Sequence, residues 1–275
     1  MRVMVTGASG MLGRDLVAHL AQRHEVVEVD LDMDVTDRAA VLERVRAERP
    51  DAIIHCAAWT DVDGAEEHEE AAQAVNADGA GNVAVAAAEL GVPMVYPSTD
   101  YVFAGTAGRP YGEHDPVAPL SAYGRTKLAG EREAARQHPE GLRVARTAWL
   151  YGAAGRNFVD TMRRLGAARD ELTVVHDQEG CPTWTRELAP ALEALIDLPP
   201  GVYHTAGGGS VTWADFARAI FEETGTDCAV VSITTEQLGR PAPRPACSAL
   251  VSHREDAPRL RHWREALRDY LRETG

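Results

Sequence analysis

The chain reads as an α/β protein, a Rossmann-like doubly wound parallel sheet with a smaller substrate-binding region. Three observations predict this. Short apolar runs alternate with helix-length stretches through the first half, the βαβ rhythm that places helices on both faces of a parallel sheet. A Gly-x-x-Gly-x-x-Gly run, Gly7, Gly10 and Gly13, joins the first apolar segment to the first helical one. After about Thr147 the rhythm loosens, with no internal repeat or low-complexity tract.

In order along the chain, strands are expected at 2–6, 25–30, 52–56, 93–97 and 142–146, and helices near 11–23, 37–49, 71–90 and 121–137. Further helices are expected from Asn157, after Thr185, from Thr212 and from Trp263. Thr212 with Asp215 three residues on is a capping-box-like start. Gly207 to Gly209 form a loop before it, and the prolines from Pro241 to Pro245 mark an extended segment. The expected division is a dinucleotide-binding domain at 1–150 and a smaller region at 151–275, partly interleaved with the first.

Composition excludes several classes of protein. The 275 residues suffice for a full core, and 45% hydrophobic with 25% charged residues is a globular balance. With 42 acidic against 28 basic residues the net charge is -14, which repels a phosphate backbone and argues against nucleic acid as partner. Cys56, Cys181, Cys228 and Cys247 are scattered without a CxxC pair, which predicts reduced thiols rather than a disulfide framework or a zinc site. No basic leader and no run of about 18 apolar residues is present. The expectation is a cytoplasmic protein without a membrane span.

The three glycines allow a tight turn, a close approach of backbone to a pyrophosphate, and close helix packing, while the helix N-terminus offers N–H groups to phosphate. Asp30 closes the second strand 20 residues after Gly10, where a carboxylate can accept from an adenosine ribose. Asp30, Asp32 and Asp34 would repel a 2′-phosphate, whereas Arg14 or Arg38 would attract one. The choice between NAD and NADP stays open.

Of the 28 basic residues, 27 are arginine and one, Lys127, is lysine. The two are not interchangeable, so a lone lysine in an arginine-rich chain marks a place where a compact ammonium is wanted. Ser121 is a plausible N-cap, after which Tyr123 and Lys127 fall four apart on one helix face. An ammonium there is expected to lower the phenol from its ordinary pKa of about 10. Upstream, Ser98 and Thr99 follow the fourth strand at the carboxyl edge of the sheet, where ligands of such folds bind.

The segments TGASGMLG, STDYVF and YGRTK resemble the extended short-chain dehydrogenase/reductase family, and within it the nucleotide-sugar ketoreductases. HCAAWTDVDGAE, RTAWLYG, NF at 157–158, DQEGCPTW and RPACSAL spread the resemblance over nearly the whole length. It implies Thr99, Tyr123 and Lys127 as the catalytic set. It implies cofactor contacts at Gly7, Ser9, Gly10, Met11, Leu12, Gly13, Asp30, Asp34, Ala57 and Ala58 as well as Tyr123 and Lys127. The implied reaction is reduction of the C4 ketone of dTDP-4-dehydro-6-deoxy-L-mannose by reduced NADP or NAD, giving dTDP-L-rhamnose, or reduction of a related dTDP-4-ketodeoxysugar. Related dehydratases have Asp-Glu after the threonine; here Tyr101 follows Asp100, which favours simple reduction. Epimerisation with retained cofactor and a non-catalytic cofactor-binding subunit are the alternatives.

For the sugar side the resemblance implies Asp100, Tyr101, Trp149, Asn157 and Arg244. Trp149 is equally readable as core, Asn157 as a helix cap, and Arg244 as solvated surface. Cys247 stands where the family pattern has asparagine, so no polar contact carries over to it. Glu66 to Glu70 lacks the HExxH spacing and reads as a solvated acidic helix start, so no metal ligand is assigned. A homodimer and magnesium between subunits are raised by the resemblance and left open.

Overall fold

A computed structural model describes all 275 residues. The chain opens β1 (Arg2–Thr6), α1 (Met11–Leu20), β2 (Glu25–Val29), α2 (Arg38–Glu48), β3 (Ala52–His55). Two short helices, α3 (Gly64–Glu67) and α4 (Glu69–Gln73), lead through a π-helical turn at Ala74–Gly79 into α5 (Ala80–Leu90). Then come β4 (Met94–Thr99), α6 (Ala122–Gln137), β5 (Leu142–Thr147) and β6 (Leu150–Tyr151). The second half holds α7 (Phe158–Gly166), β7 (Glu171–Val175), β8 (Glu179–Gly180), β9 (Thr183–Trp184), α8 (Thr185–Leu195), β10 (Gly201–His204) and β11 (Val211–Thr212). It ends with α9 (Trp213–Thr224), β12 (Ala229–Ile233), α10 (Thr235–Leu238) and α11 (Trp263–Thr274).

Six parallel strands form the central sheet in the order β10-β5-β4-β3-β1-β2. Side chains alternate across it with period two. Val3 and Val5 of β1 pack with Leu12, Leu16 and Leu20 of α1 and Leu188 and Leu192 of α8, whereas Met4 faces Val41 of α2 and Val83 and Ala87 of α5. The chain leaves β1 for β2 on one side and later fills β3 on the other. That reversal opens the crevice at the carboxyl ends of β1 and β3.

Three differences from the sequence expectation have physical causes. The helix expected at 71–90 is interrupted by the π turn around the buried Asn76. The fourth strand runs on to Thr99, paired residue for residue with β5 up to Thr147. The sixth strand, β10, comes from the second half, where Tyr203 and His204 are buried between flanking prolines and glycines that hide the strand pattern. A separate core holds the second half together, with Phe216 and Tyr270 set at steep angles against Tyr151 and Trp263 edge-on to Phe216. All four cysteines are free, and no helix is long and apolar enough to cross a membrane.

Candidate active site

The crevice is a cavity of about 900 Å³. One wall is the turn after β1. Gly7 has φ +66°, and a Cβ there would lie 2.7 Å from the Ala57 nitrogen; a Cβ on Gly13 would lie 2.2 Å from the Gly7 carbonyl oxygen. Only glycine permits this approach of loop, strand and helix. Gly10 caps α1 with no side-chain hydrogen bond, so the first-turn N–H groups stay available for an anion. A cradle that a methyl group would fill, opening on free N–H donors, fits a dinucleotide pyrophosphate.

Asp30 accepts from the Ser9 N–H at 2.7 Å and the Leu31 N–H at 3.0 Å, and the Ser9 hydrogen bonds hold its carboxyl below the usual range. Asp34 is likewise held low by the Thr36 N–H and hydroxyl. Arg14 donates from Nε to the Ser9 carbonyl at 3.0 Å, which folds it back onto the loop. The cavity wall takes in Gly7, Ser9 to Gly13, Asp30, Asp34, Ala57 and Ala58 on this side, and Thr99 to Tyr101, Tyr123, Lys127 and Trp149 on the other.

On that other side α6 starts at Ser121, whose hydroxyl accepts from the Gly124 N–H at 3.2 Å. Gly124 lets the helix lie against β4's end, since a Cβ would meet the Tyr101 carbonyl at 2.3 Å. Tyr123 and Lys127 thereby face Thr99 and Pro97. The Lys127 ammonium donates to the Pro97 carbonyl at 2.8 Å and sits 4.0 Å from the centroid of the Tyr96 ring. Burial brings Lys127 down to about 7.

Burial also pushes the Tyr123 phenol up to about 12, opposed by the nearby Thr99 side chain and reinforced by Asp100. The expected lowering of the phenol by the ammonium is therefore overturned, because burial dominates. Both side chains are buried, and desolvation disfavours the charged form of each.

Asp100 is buried and pushed up to about 7 by burial, against hydrogen bonds from Ser248 and Thr99; the Thr99 hydroxyl donates to it at 3.1 Å. Ser248 thus ties the segment at 244–250 to the end of β4, a link with no local signal in the sequence.

Trp149 adopts φ +48°, a conformation a non-glycine residue rarely takes. Packing holds it there. Its indole stacks on Trp213 at 3.5 Å and 4°, and a Cβ on Gly180 would lie 2.3 Å from it. Trp213 lines the same cavity and was missed from the sequence. Asn157 lies outside the cavity as the cap of α7: its Oδ1 accepts from the Asp160 N–H at 3.0 Å and its Nδ2 donates to the Gly152 carbonyl at 2.9 Å. Arg244 also lies outside, donating to Asp63 at 3.0 Å and standing beside the Tyr101 phenol.

Three further residues, outside the cavity lining, brace its walls and were not read from the sequence in that role. Asn76, in the π turn, accepts from the Trp59 N–H at 2.9 Å and donates to the Thr126 hydroxyl at 3.0 Å, and its carbonyl accepts from the Tyr96 hydroxyl at 3.0 Å. The available signal is an asparagine inside an alanine-rich apolar helix. Glu66 accepts from the Ala122 N–H at 2.7 Å and Glu69 pairs with Arg125 at 2.7 Å. The acidic run is thus not merely solvated, because two of its carboxylates clamp the start of α6.

A switch-point crevice with a glycine cradle on one wall and a tyrosine–lysine helix on the other defines a Rossmann-type protein of the reductase and epimerase class. The family model described as RmlD substrate binding domain matches residues 1–275. The dTDP-4-dehydrorhamnose reductase of Streptomyces griseus is 46% identical over 278 residues, covering 97% of this chain and 91% of that protein. The spore coat polysaccharide biosynthesis protein SpsK of Bacillus subtilis is 43% identical, covering 100% of this chain and 98% of that one. A crystal structure of dTDP-4-dehydrorhamnose reductase from Bacillus anthracis in complex with NADP superposes with a TM-score of 0.96 at 39% identity, covering 99% of each chain. The chain belongs to the RmlD substrate binding domain family.

Proposed function

We propose that this protein is an NAD(P)H-dependent oxidoreductase that reduces the C4 ketone of dTDP-4-dehydro-6-deoxy-L-mannose to dTDP-L-rhamnose, or the ketone of a closely related dTDP-4-ketodeoxysugar. The observation that carries this reading is the convergence of Thr99, Tyr123 and Lys127 on the cavity that also holds the glycine cradle. The reductases named among its relatives support the substrate class, and the NADP complex of one supports NADP as cofactor. Gly7, Ser9 to Gly13, Asp30, Asp34, Ala57 and Ala58 would hold that cofactor.

When bound, the reduced nicotinamide supplies a hydride to the ketone carbon. Tyr123 gives the proton that the oxygen needs. A phenol at about 12 is fully protonated near neutrality, so the acid is loaded before the reaction begins. Lys127 places positive charge one helical turn away, where it stabilises the phenolate left after transfer. The Thr99 hydroxyl, which donates to Asp100 at 3.1 Å, would turn its proton from that carboxyl to the reacting oxygen when the ketone binds. Trp149 and Trp213 supply an apolar wall against which a sugar or base can lie.

The test is stoichiometric. Incubation with dTDP-4-dehydro-6-deoxy-L-mannose and NADPH or NADH should consume one cofactor per sugar and yield dTDP-L-rhamnose. Sugar conversion without net cofactor oxidation would instead indicate epimerisation, and no conversion with any dTDP-ketosugar would remove the reading altogether.

A further inference from the structure

α6 carries Tyr123, Lys127 and Glu131 four residues apart, one stripe along the helix. The stripe meets three consecutive residues of β4. Tyr123 and Thr99 line the same cavity, Lys127 donates to the Pro97 carbonyl at 2.8 Å, and the Ser98 hydroxyl donates to Glu131 at 2.5 Å. Glu131 also accepts from Arg146 at 3.0 and 2.7 Å. Arg146 is the register partner of Ser98 on β5, and both charged side chains are buried.

Burying such a pair is poor economy for stability alone, since well-packed apolar residues do as well or better. What the pair faces supplies the reason for it. On α6, Tyr123 and Glu131 lie one turn to either side of Lys127; Tyr96 on β4 lies beneath its ammonium, His55 and Cys56 at the end of β3 feel its charge, and Arg146 on β5 pairs with Glu131. Burial holds His55 at about 3 and Cys56 at about 12, and raises both tyrosines. Those four are therefore neutral near neutrality, which leaves Glu131, ion-paired with Arg146, as the carboxylate of the set.

We propose that Glu131 is a positioning residue of the reduction: its carboxylate fixes the end of β4 against α6 and its charge favours the ammonium form of the buried Lys127. The catalytic meaning rests on the reaction proposed above, but the charge relation is measurable without it. The opposing pull of Glu131 against desolvation at Lys127 agrees with this geometry.

The experiment uses the chain's single lysine. Lysine labelled with 13C and 15N gives one side-chain resonance, whose titration reads Lys127 directly with no substrate present. Glu131→Gln keeps an acceptor for Ser98 and removes the charge. Its midpoint should fall below the wild-type value by about one pH unit or more. For a one-unit fall, the deficit in kcat should grow from about twofold at pH 6 to about tenfold at pH 8, with KM little changed.

Glu131→Gln leaves Arg146 unpaired and so endangers folding. The double variant Glu131→Gln/Arg146→Met removes both charges and should place the midpoint between the wild type and the single variant. An unmoved midpoint in every variant that folds overturns the proposal, as does a loss of kcat equal at all pH values. A lowered midpoint in a protein that reduces no ketosugar upholds the charge relation and removes only the proposed reaction.

Discussion

The two ends of the cavity are made in different ways. At the cofactor end the wall is backbone: Gly7 and Gly13 leave no room for a side chain, and the donors are N–H groups of one turn and one helix start. At the sugar end the wall is side chain, with Trp149 from the segment after β5, Trp213 from α9 and Tyr101 from the end of β4. The first end is centred on one glycine turn, the second on packing among segments that span residues 101 to 213. Substitutions at the first should act on cofactor affinity and folding together, and at the second on substrate affinity alone.

The catalytic stripe lies between the ends and should respond most strongly. Tyr123→Phe is expected to lower kcat by about 10²- to 10⁴-fold while leaving cofactor binding, read by fluorescence titration, within about twofold. Lys127→Arg should cost about 10²-fold in kcat despite keeping the charge, because a planar guanidinium cannot occupy a site where Nζ lies 2.8 Å from a carbonyl and 4.0 Å from a ring. Full activity in that variant would erase the case for the lone lysine.

At the cofactor end, Gly7→Ala adds a methyl 2.7 Å from the Ala57 nitrogen at positive φ. It should weaken cofactor binding by about tenfold or more and lower stability by about 1–3 kcal/mol. At the sugar end, Trp213→Ala should raise KM for the ketosugar by about three- to tenfold with cofactor affinity unchanged. Equal losses of cofactor and sugar affinity in both variants would dissolve the contrast between the ends.

A further expected effect is thermal. Asp100 has a folded pKa of about 7 against an ordinary 3.8, so the folded state binds its proton more tightly than the unfolded one. Its contribution to stability is greatest below pH 3.8 and is lost as pH rises to about 7. Asp100→Asn should therefore raise Tm at pH 8 and leave it nearly unchanged at pH 4.

The sequence disclosed what is local. The five strands of the first half, the glycine loop, the Ser121 cap and the four-residue spacing of Tyr123 and Lys127 are each set by neighbours within one or two turns. Residues whose role depends on distant partners were not legible. Trp213 stacks on a residue 64 positions earlier in the chain, and Ser248 reaches Asp100 across 148. The acidity of Tyr123 was misjudged for the same reason: spacing reveals the ammonium's nearness, but burial, which outweighs it, is a property of the assembled fold. Asn157 presented the opposite difficulty, an asparagine before an apolar helix that the structure uses as a cap.

The contribution of α8 and β10 to the central sheet bears on how specificity can be exchanged between relatives. A chimaera joined once near residue 150 would import a foreign edge strand and a foreign covering helix along with any new sugar pocket. Recombination that spares the sheet needs at least three crossovers, so that residues 185–204 travel with the amino-terminal parent.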